Sequence, residues 1–163
     1  MTLVIPTARL RLRLQSTESV LAWIESMSDA DRAQVSPEWL ARMRTAEPSA
    51  WTHAFELVDA VSGDVVGSCG FKGPPDADGV VEIAYEVHED KRGRGLAKEA
   101  AAALTEFAVA SGVRMVRAHT LTNNQASAGV LRACGFASVG EVVDPEDGPV
   151  WRWELRPGTR NTV

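Results

Sequence analysis

Several signals that often settle a protein's class are missing from this chain of 163 residues. Cysteine is scarce: Cys69 and Cys134 stand alone, without metal-ligand spacing. That removes the zinc-site and disulfide-framework classes, implies no metal, and reads as reduced thiols in a cytoplasmic protein. No apolar run approaches the roughly 20 residues that cross a bilayer, so no membrane partner is expected. The opening MTLVIPTARLRLRL alternates leucine with arginine and carries no signal-peptide core. Positive charge is not in excess. Lys+Arg 17 against Asp+Glu 22 gives a net charge of −5, which argues against a nucleic-acid partner, because phosphate binding leans on surplus Lys and Arg. No Gly-Lys pair occurs, so there is no P-loop. Tyrosine occurs once, as Tyr85. Internal repeats and low-complexity linkers are missing as well.

What is present has the balance of a soluble globular domain, 45% hydrophobic and 24% charged. The length suits one core of ordinary size. We read one domain over residues 1–156 and a polar tail over 157–163. Arg9 to Leu14 alternates strictly and predicts a strand with one wet face. Ser16 or Thr17 caps a helix carrying Val20, Leu21, Trp23, Ile24 and Met27. A second helix starts after Ser36-Pro37, with Trp39, Leu40 and Met43 as its apolar stripe. Strands follow at Trp51–Val58, Val65–Phe71 and Val80–Val87. Gly95 to Ser111 reads as a helix closed by Gly112. Then come a strand at Val113–Thr120, a helix at Asn124–Ala133, and a closing antiparallel pair at Ala137–Val142 and Val150–Leu155. Only the strand–helix–strand unit over residues 80–120 demands a parallel pair. The predicted class is α+β: a mixed, mostly antiparallel sheet with helices on both faces.

The segment His88–Ala100, HEDKRGRGLAKEA, places a basic, glycine-punctuated loop directly before a strong helix. A helix N-terminus offers unpaired N–H groups and the positive end of its dipole, and glycines let the preceding backbone curl inward. Such a loop suits an anion, phosphate above all, with Lys91, Arg92, Arg94 and Lys98 at its edge. A plain glycine turn before a helix is the alternative. A dinucleotide fingerprint fails, because its third glycine falls on Lys98 and no acidic residue stands near Met115. Arg92-Gly93-Arg94-Gly95-Leu96-Ala97 fits a third pattern, Arg/Gln-x-x-Gly-x-Gly/Ala, at every fixed position.

That hexad resembles the coenzyme A signature of the GNAT N-acetyltransferase superfamily. VEIAYEVHEDKRGRGLAKEA resembles the family's strand, pyrophosphate loop and helix. Asn124-Gln125-Ala126-Ser127, followed by Val130-Leu131 and Cys134-Gly135-Phe136, resembles its N-x-x-S…G-F helix. The opening TARLRLRL is similar to the first strand of the branch that includes the ribosomal-protein N-terminal (RimJ/RimL-like) acetyltransferases. The match runs over roughly residues 7 to 155. Two departures stand out. Ala133 occupies a position that is often basic, and the second helix lacks the tyrosine that many members use as an acid.

The resemblance implies acetyl transfer from acetyl-CoA, as cosubstrate, to an amine acceptor in a ternary complex. It implies a pyrophosphate on the amides of Arg92, Gly93, Arg94, Gly95, Leu96 and Ala97. It also implies a pantetheine chain between splayed parallel strands, paired near Val87 and held by Asn124. From the residues alone, Asn124 is equally a helix N-cap. Glu82 is the candidate base, since a glutamate inside an apolar strand is costly to bury without purpose; a solvated strand face is the alternative. Glu86 is a second candidate. His53, His88 and His119 are further ones, although lone histidines on strands are commonly structural. Ser127 is the candidate hydroxyl for the departing thiolate. The acceptor is a protein N-terminus or a small-molecule amine, chosen by Thr17–Ala50 and Gly73–Gly79. A non-catalytic acyl-CoA-binding module is the rival reading. A homodimer is expected from the branch and from the closing strands as possible edges.

Overall fold

The structure is a computed structural model that describes residues 2–145 and 147–157. The strands are β1 (Val4–Pro6), β2 (Leu10–Leu14), β3 (Phe55–Asp59), β4 (Val65–Phe71), β5 (Val80–Val87), β6 (Met115–Leu121), β7 (Ala137–Asp144) and β8 (Gly148–Leu155). The helices are α1 (Thr17–Glu25), α2 (Asp29–Arg32), α3 (Pro37–Thr45), α4 (Leu96–Ala110) and α5 (Gln125–Ala133). The eight strands form one sheet in the order β1-β2-β3-β4-β5-β6-β8-β7. Every neighbouring pair is antiparallel except β5 with β6. This is the mixed class the sequence predicts, with its one parallel pair where the 80–120 unit requires it.

Local chemistry accounts for the elements. In β2 the leucines are buried and the arginines exposed, as a period of two demands. Ser16, Ser28 and Ser36 each accept an amide hydrogen bond at the start of α1, α2 and α3, and Pro37 opens α3. Helix α4 turns Leu96, Ala100, Ala101, Ala103, Leu104 and Ala108 toward the core. Its small side chains let the helix lie close against β2, β4, β5 and α5. Leu10, Leu12, Phe55, Leu57, Leu104, Leu131 and Trp153 fill the main core. Val20, Ile24 and Met43 form a separate small cluster between α1 and α3.

The structure corrects some boundaries. The strand expected from Trp51 begins only at Phe55, because the amides of Thr52 and His53 turn back onto the carbonyl of Ser49. Trp51 instead packs its ring against Phe71 and Phe107, 4.7 and 5.7 Å away between centroids. β1 and α2 add elements that the sequence reading lacks; at three and four residues neither shows a period. The expected tail lies outside the described residues from position 158 onward.

Two glycines make opposite predictions. A Cβ on Gly67 would lie 2.1 Å from the backbone oxygen of Glu86 on β5, whereas one on Gly129 in α5 meets nothing within 4 Å. Gly67→Ala is expected to destabilise the fold by roughly 1–3 kcal/mol. Gly129→Ala is expected to stabilise it by up to about 1 kcal/mol, the helix-propensity difference. Urea melts of the two variants check the pair, and equal shifts would contradict the close β4–β5 approach.

Candidate active site

The loop between β5 and α4 is shaped by its glycines. A short 3-10 turn, Glu89–Lys91, leaves β5, and Gly93 and Gly95 then take φ of 82° and 78°. These left-handed angles cost a residue with a Cβ about 1–2 kcal/mol. Gly95 caps α4 without a side-chain hydrogen bond, and the first helical bond runs from the Glu99 amide to the Gly95 carbonyl. The amides from Arg94 to Lys98 thus have no acceptor among the described residues. They converge at the positive end of a 15-residue helix. The side chain of Arg92 turns back, its Nε donating to the Val87 carbonyl at 2.9 Å. The donors and the curvature fit a diphosphate.

Above the loop lies a clasp that the sequence reading missed. Glu99, on the first turn of α4, accepts from the Thr7 hydroxyl at 2.7 Å and from the Arg9 amide at 2.9 Å. It also accepts from Arg9 Nε. The Arg9 guanidinium then covers Gly95: a Cβ there would sit 3.0 Å from Arg9 Nη2. The chain entering β2 is thereby tied to the glycine loop. Such a clasp between residues 90 or more positions apart leaves no local pattern.

Beside the loop the parallel pair opens. β5 and β6 share three register positions, Val80 with Met115, Val81 with Val116 and Glu82 with Arg117. Beyond Glu82, β5 continues against β4 alone and β6 against β8 alone. The Glu82 carbonyl and the His88 amide bond toward β4, to Lys72 and Val66. Because the pleat alternates, the backbone groups of Ile83, Tyr85 and Val87 point the other way, into the opening. The Val87 carbonyl is taken by Arg92, which leaves its N–H.

Glu82 stands where the strands part. Its Oε2 lies 3.0 Å from Lys72 Nζ and 3.1 Å from His119 Nδ1. Arg152 Nε–H donates to His119 Nε2 at 3.1 Å. That bond makes Nε2 the acceptor, so the proton of the neutral ring sits on Nδ1, facing Glu82. The approach to Glu82 is off the line of a good hydrogen bond, and Nδ1 has no other partner. Burial alone would lower the Lys72 pKa, but the hydrogen bond and charge of Glu82, with Asp144 and Asp147, raise it.

On the helix side, the Tyr85 hydroxyl is 2.8 Å from Ser127 Oγ. Burial raises the phenol pKa, so Tyr85 stays protonated at neutral pH. Asn124 caps α5, its Oδ1 accepting from the Ser127 amide at 3.0 Å. The cap is formed, and Nδ2 has no partner among the described residues.

The other candidates separate from this group. His53 is buried between the Thr17 and Thr52 hydroxyls, and burial lowers its pKa. His88 caps the 3-10 turn from the outside, and Glu86 is exposed on the strand. Burial pushes the Cys69 thiol up to about 12, and it also raises that of Cys134. Neither is a ready thiolate at neutral pH. No cluster of three or more His, Cys, Asp or Glu suited to a metal occurs among the described residues. No described helix is long and apolar enough to cross a membrane. A groove of about 760 Å³ runs past Lys72 between α3 and the β4–β5 loop, lined by Trp39, Arg42, Trp51, Phe71 and Pro74. The segments expected to choose the acceptor supply part of its lining, Trp39, Arg42 and Pro74 among them, while Trp51, Phe71 and Lys72 lie outside those segments. A second cavity of about 600 Å³, between α4 and Val139 and Leu155, touches none of the loop or Glu82 residues.

Glu99 gives a pH prediction. Burial alone would raise its pKa, but the hydrogen bonds from Thr7 and Arg9 and the Arg9 charge hold it below the usual carboxylate value. Its folded pKa is depressed, so the clasp stabilises the protein fully above the unfolded carboxylate pKa. That stability is lost as pH falls through the folded value. Glu99→Gln is expected to destabilise the chain by about 1.5–3 kcal/mol at neutral pH, the scale of hydrogen bonds to a charged group. Thermal melts of variant and wild type are expected to converge in acid. A constant gap from neutral to acid pH would rule out a charged clasp.

Comparison with known proteins agrees with this geometry. Residues 7–137 match the family described as Acetyltransferase (GNAT) domain. No curated protein matches the chain in sequence. RimL, the ribosomal L7/L12 alpha-N-protein acetyltransferase in complex with coenzyme A through a cysteine disulfide, shares the fold. Its TM-score is 0.71 at 18% identity, covering 94% of this chain and 98% of that one. The ribosomal-protein-S5-alanine acetyltransferase from Vibrio fischeri matches at TM-score 0.71 and 15% identity, covering 98% of this chain and 99% of that one. A Bordetella pertussis protein described as a GNAT-family acetyltransferase matches at TM-score 0.68 and 27% identity, covering 93% and 98%. The family match spans well over half of the 163 residues, and on that ground this chain belongs to the GNAT acetyltransferase family.

Proposed function

We propose that the chain transfers acetyl from acetyl-CoA to a primary amine, a protein N-terminus or a small-molecule amine, by direct attack in a ternary complex. The observation that carries this reading is the opening between β5 and β6 with Glu82 at its apex and free loop amides at its mouth. Acetyl-CoA supplies an activated acyl group as a thioester. The amides from Gly93 to Ala97 hold its diphosphate, the Arg92 amide being turned to the Glu89 carbonyl, and RimL, a fold relative, is known in complex with coenzyme A. The N–H of Val87 and the free backbone groups of Tyr85 pair with an extended chain laid in the opening, as in strand addition. The Asn124 amide adds a donor from α5.

The acceptor must lose a proton first. An α-amino group with pKa near 8 is roughly 10% neutral at pH 7. A lysine-type amine is only about 0.04% neutral, a cost on the order of 4.6 kcal/mol. Glu82 takes that proton, with His119 and Arg152 fixing the orientation of its carboxylate. Ser127 holds a hydroxyl toward the leaving sulfur, and Tyr85 backs it with a phenol that stays protonated. This pair stands in for the helix tyrosine that the chain lacks. Cys69 and Cys134 take no part, since direct attack needs no covalent enzyme intermediate.

The test is acetyl-CoA-dependent thiol release with a panel of small amines and N-terminal peptides. Glu82→Gln is expected to lower kcat/KM by roughly 10²–10⁴, the usual contribution of a general base. The loss should be larger for lysine-type amines than for α-amines. A variant as active as wild type would remove Glu82 from the role. Tight acetyl-CoA binding with no turnover of any amine would favour a binding module instead.

A further inference from the structure

The chain has three lysines, Lys72, Lys91 and Lys98, and one of them stands where an acceptor amine would stand. We propose that Lys72 is an internal acceptor: given acetyl-CoA alone, the chain acetylates its own Lys72 at Nζ. The inference rests on the acetyltransferase reading above and names a modification site within it.

The geometry is that required of an incoming amine. A general base must lie about 2.6–3.2 Å from the atom whose proton it takes. Lys72 Nζ lies 3.0 Å from Glu82 Oε2. The backbone keeps it there, because the Lys72 amide donates to the Glu82 carbonyl at 2.9 Å. Lys72 and Glu82 thus sit side by side on β4's extension and β5, and the side chain needs no loop movement to reach the carboxylate. Lys72 also lines the groove between α3 and the β4–β5 loop and is half-exposed, so its Nζ is accessible from the groove. Tethering at this position replaces the encounter with a free amine by a high effective concentration. Lys91 and Lys98 belong to the phosphate loop and its helix, and among the described residues Glu82 forms its ion pairs with Lys72 and His119 instead.

The step balances. The Lys72 ammonium gives one proton to Glu82. The neutral amine attacks the thioester carbonyl, the N–C bond forms, and the C–S bond breaks. The second nitrogen proton passes to the sulfur, so coenzyme A leaves as the thiol and Lys72 remains as a neutral amide. The groups that set the ammonium's charge are Glu82 from β5, His119 from β6 through Glu82, Arg152 from β8 through His119, Asp144 and Asp147 from the β7–β8 hairpin, and Arg42 across the groove from α3. Their balance favours the charged form, so the reaction is slow at neutral pH and accelerates as pH rises.

The experiment incubates the full chain with acetyl-CoA and no amine, follows the intact mass, and maps the modified peptide. We expect one acetyl group per chain, on Lys72 in preference to Lys91 and Lys98. The rate should be first-order and unchanged on dilution of the protein. It should rise about tenfold per pH unit below the Lys72 pKa, because the neutral fraction does. Glu82→Gln should slow it at least tenfold, and Lys72→Arg should abolish it. Three results would overturn the proposal: acetyl spread evenly over the three lysines, a first-order constant that scales with protein concentration, or the same rate in Glu82→Gln. An unmodified Lys72 in a preparation that acetylates an added amine would overturn it alone and leave the enzyme reading standing. Failure to bind acetyl-CoA would remove both.

Discussion

The parallel ladder between β5 and β6 ends after Glu82, and the site depends on that early parting. A sheet leaves backbone donors and acceptors unpaired at considerable cost unless something else takes them up. Here Tyr85 and the Val87 N–H face the opening, while β4 holds the far edge of β5 and β8 holds that of β6. The outer edges of the two strands are thus satisfied, and the edges facing the opening are the ones left to pair. In the proposed reaction an extended cofactor chain completes the sheet locally, and the amine enters at the apex of the same opening. The glycine loop lies at the mouth because α4 must start where β5 stops.

Charge is organised around the same opening. Lys72, His119 and Arg152 arrive from β4's end, β6 and β8, three elements separated widely in sequence. Arg152 fixes the His119 tautomer, and His119 and Lys72 both stand against the same Glu82 oxygen, Oε2. In the proposed reaction His119 does not compete with Glu82 as base, because its Nε2 is already an acceptor. On the other face, Tyr85 reaches Ser127 across from β5 to α5. Alternation along one strand thus delivers a carboxylate to one face and a phenol to the other, the two groups to which the proposed reaction gives its proton transfers.

Much of this was legible in the sequence where the cause is local. The alternation of β2, the serine caps of α1 and α3, the Asn124 cap of α5 and the left-handed glycines of the loop each follow from a few adjacent residues. The Glu82 face was legible too, since period two assigns it without reference to a partner strand. The rest depends on long-range pairing. Nothing in the sequence places β8 between β6 and β7, and so nothing brings Arg152 to His119. The Glu99 clasp joins residues far apart, and the Arg92 side chain spends its Nε on Val87, where composition suggested a free phosphate ligand. Trp51 had the look of a strand residue, but Ser49 captured the following amides and sent its ring to Phe71 and Phe107.

The distance between grip and chemistry explains why the loop can be so plain. In the proposed reaction, interactions with the diphosphate are the same before and during the chemical step, so they cannot by themselves speed it. Their use is to fix one end of a long, flexible chain, so that the strand opening has only the other end to align. That division relaxes the demands on loop side chains, because backbone amides on a helix end suffice. It raises the demands on the apex, where a small displacement of the reacting atoms is costly. The residues follow this division. The loop is built from glycines and exposed backbone amides, whereas Glu82 lies against two side chains, Lys72 and His119, on a strand of the sheet.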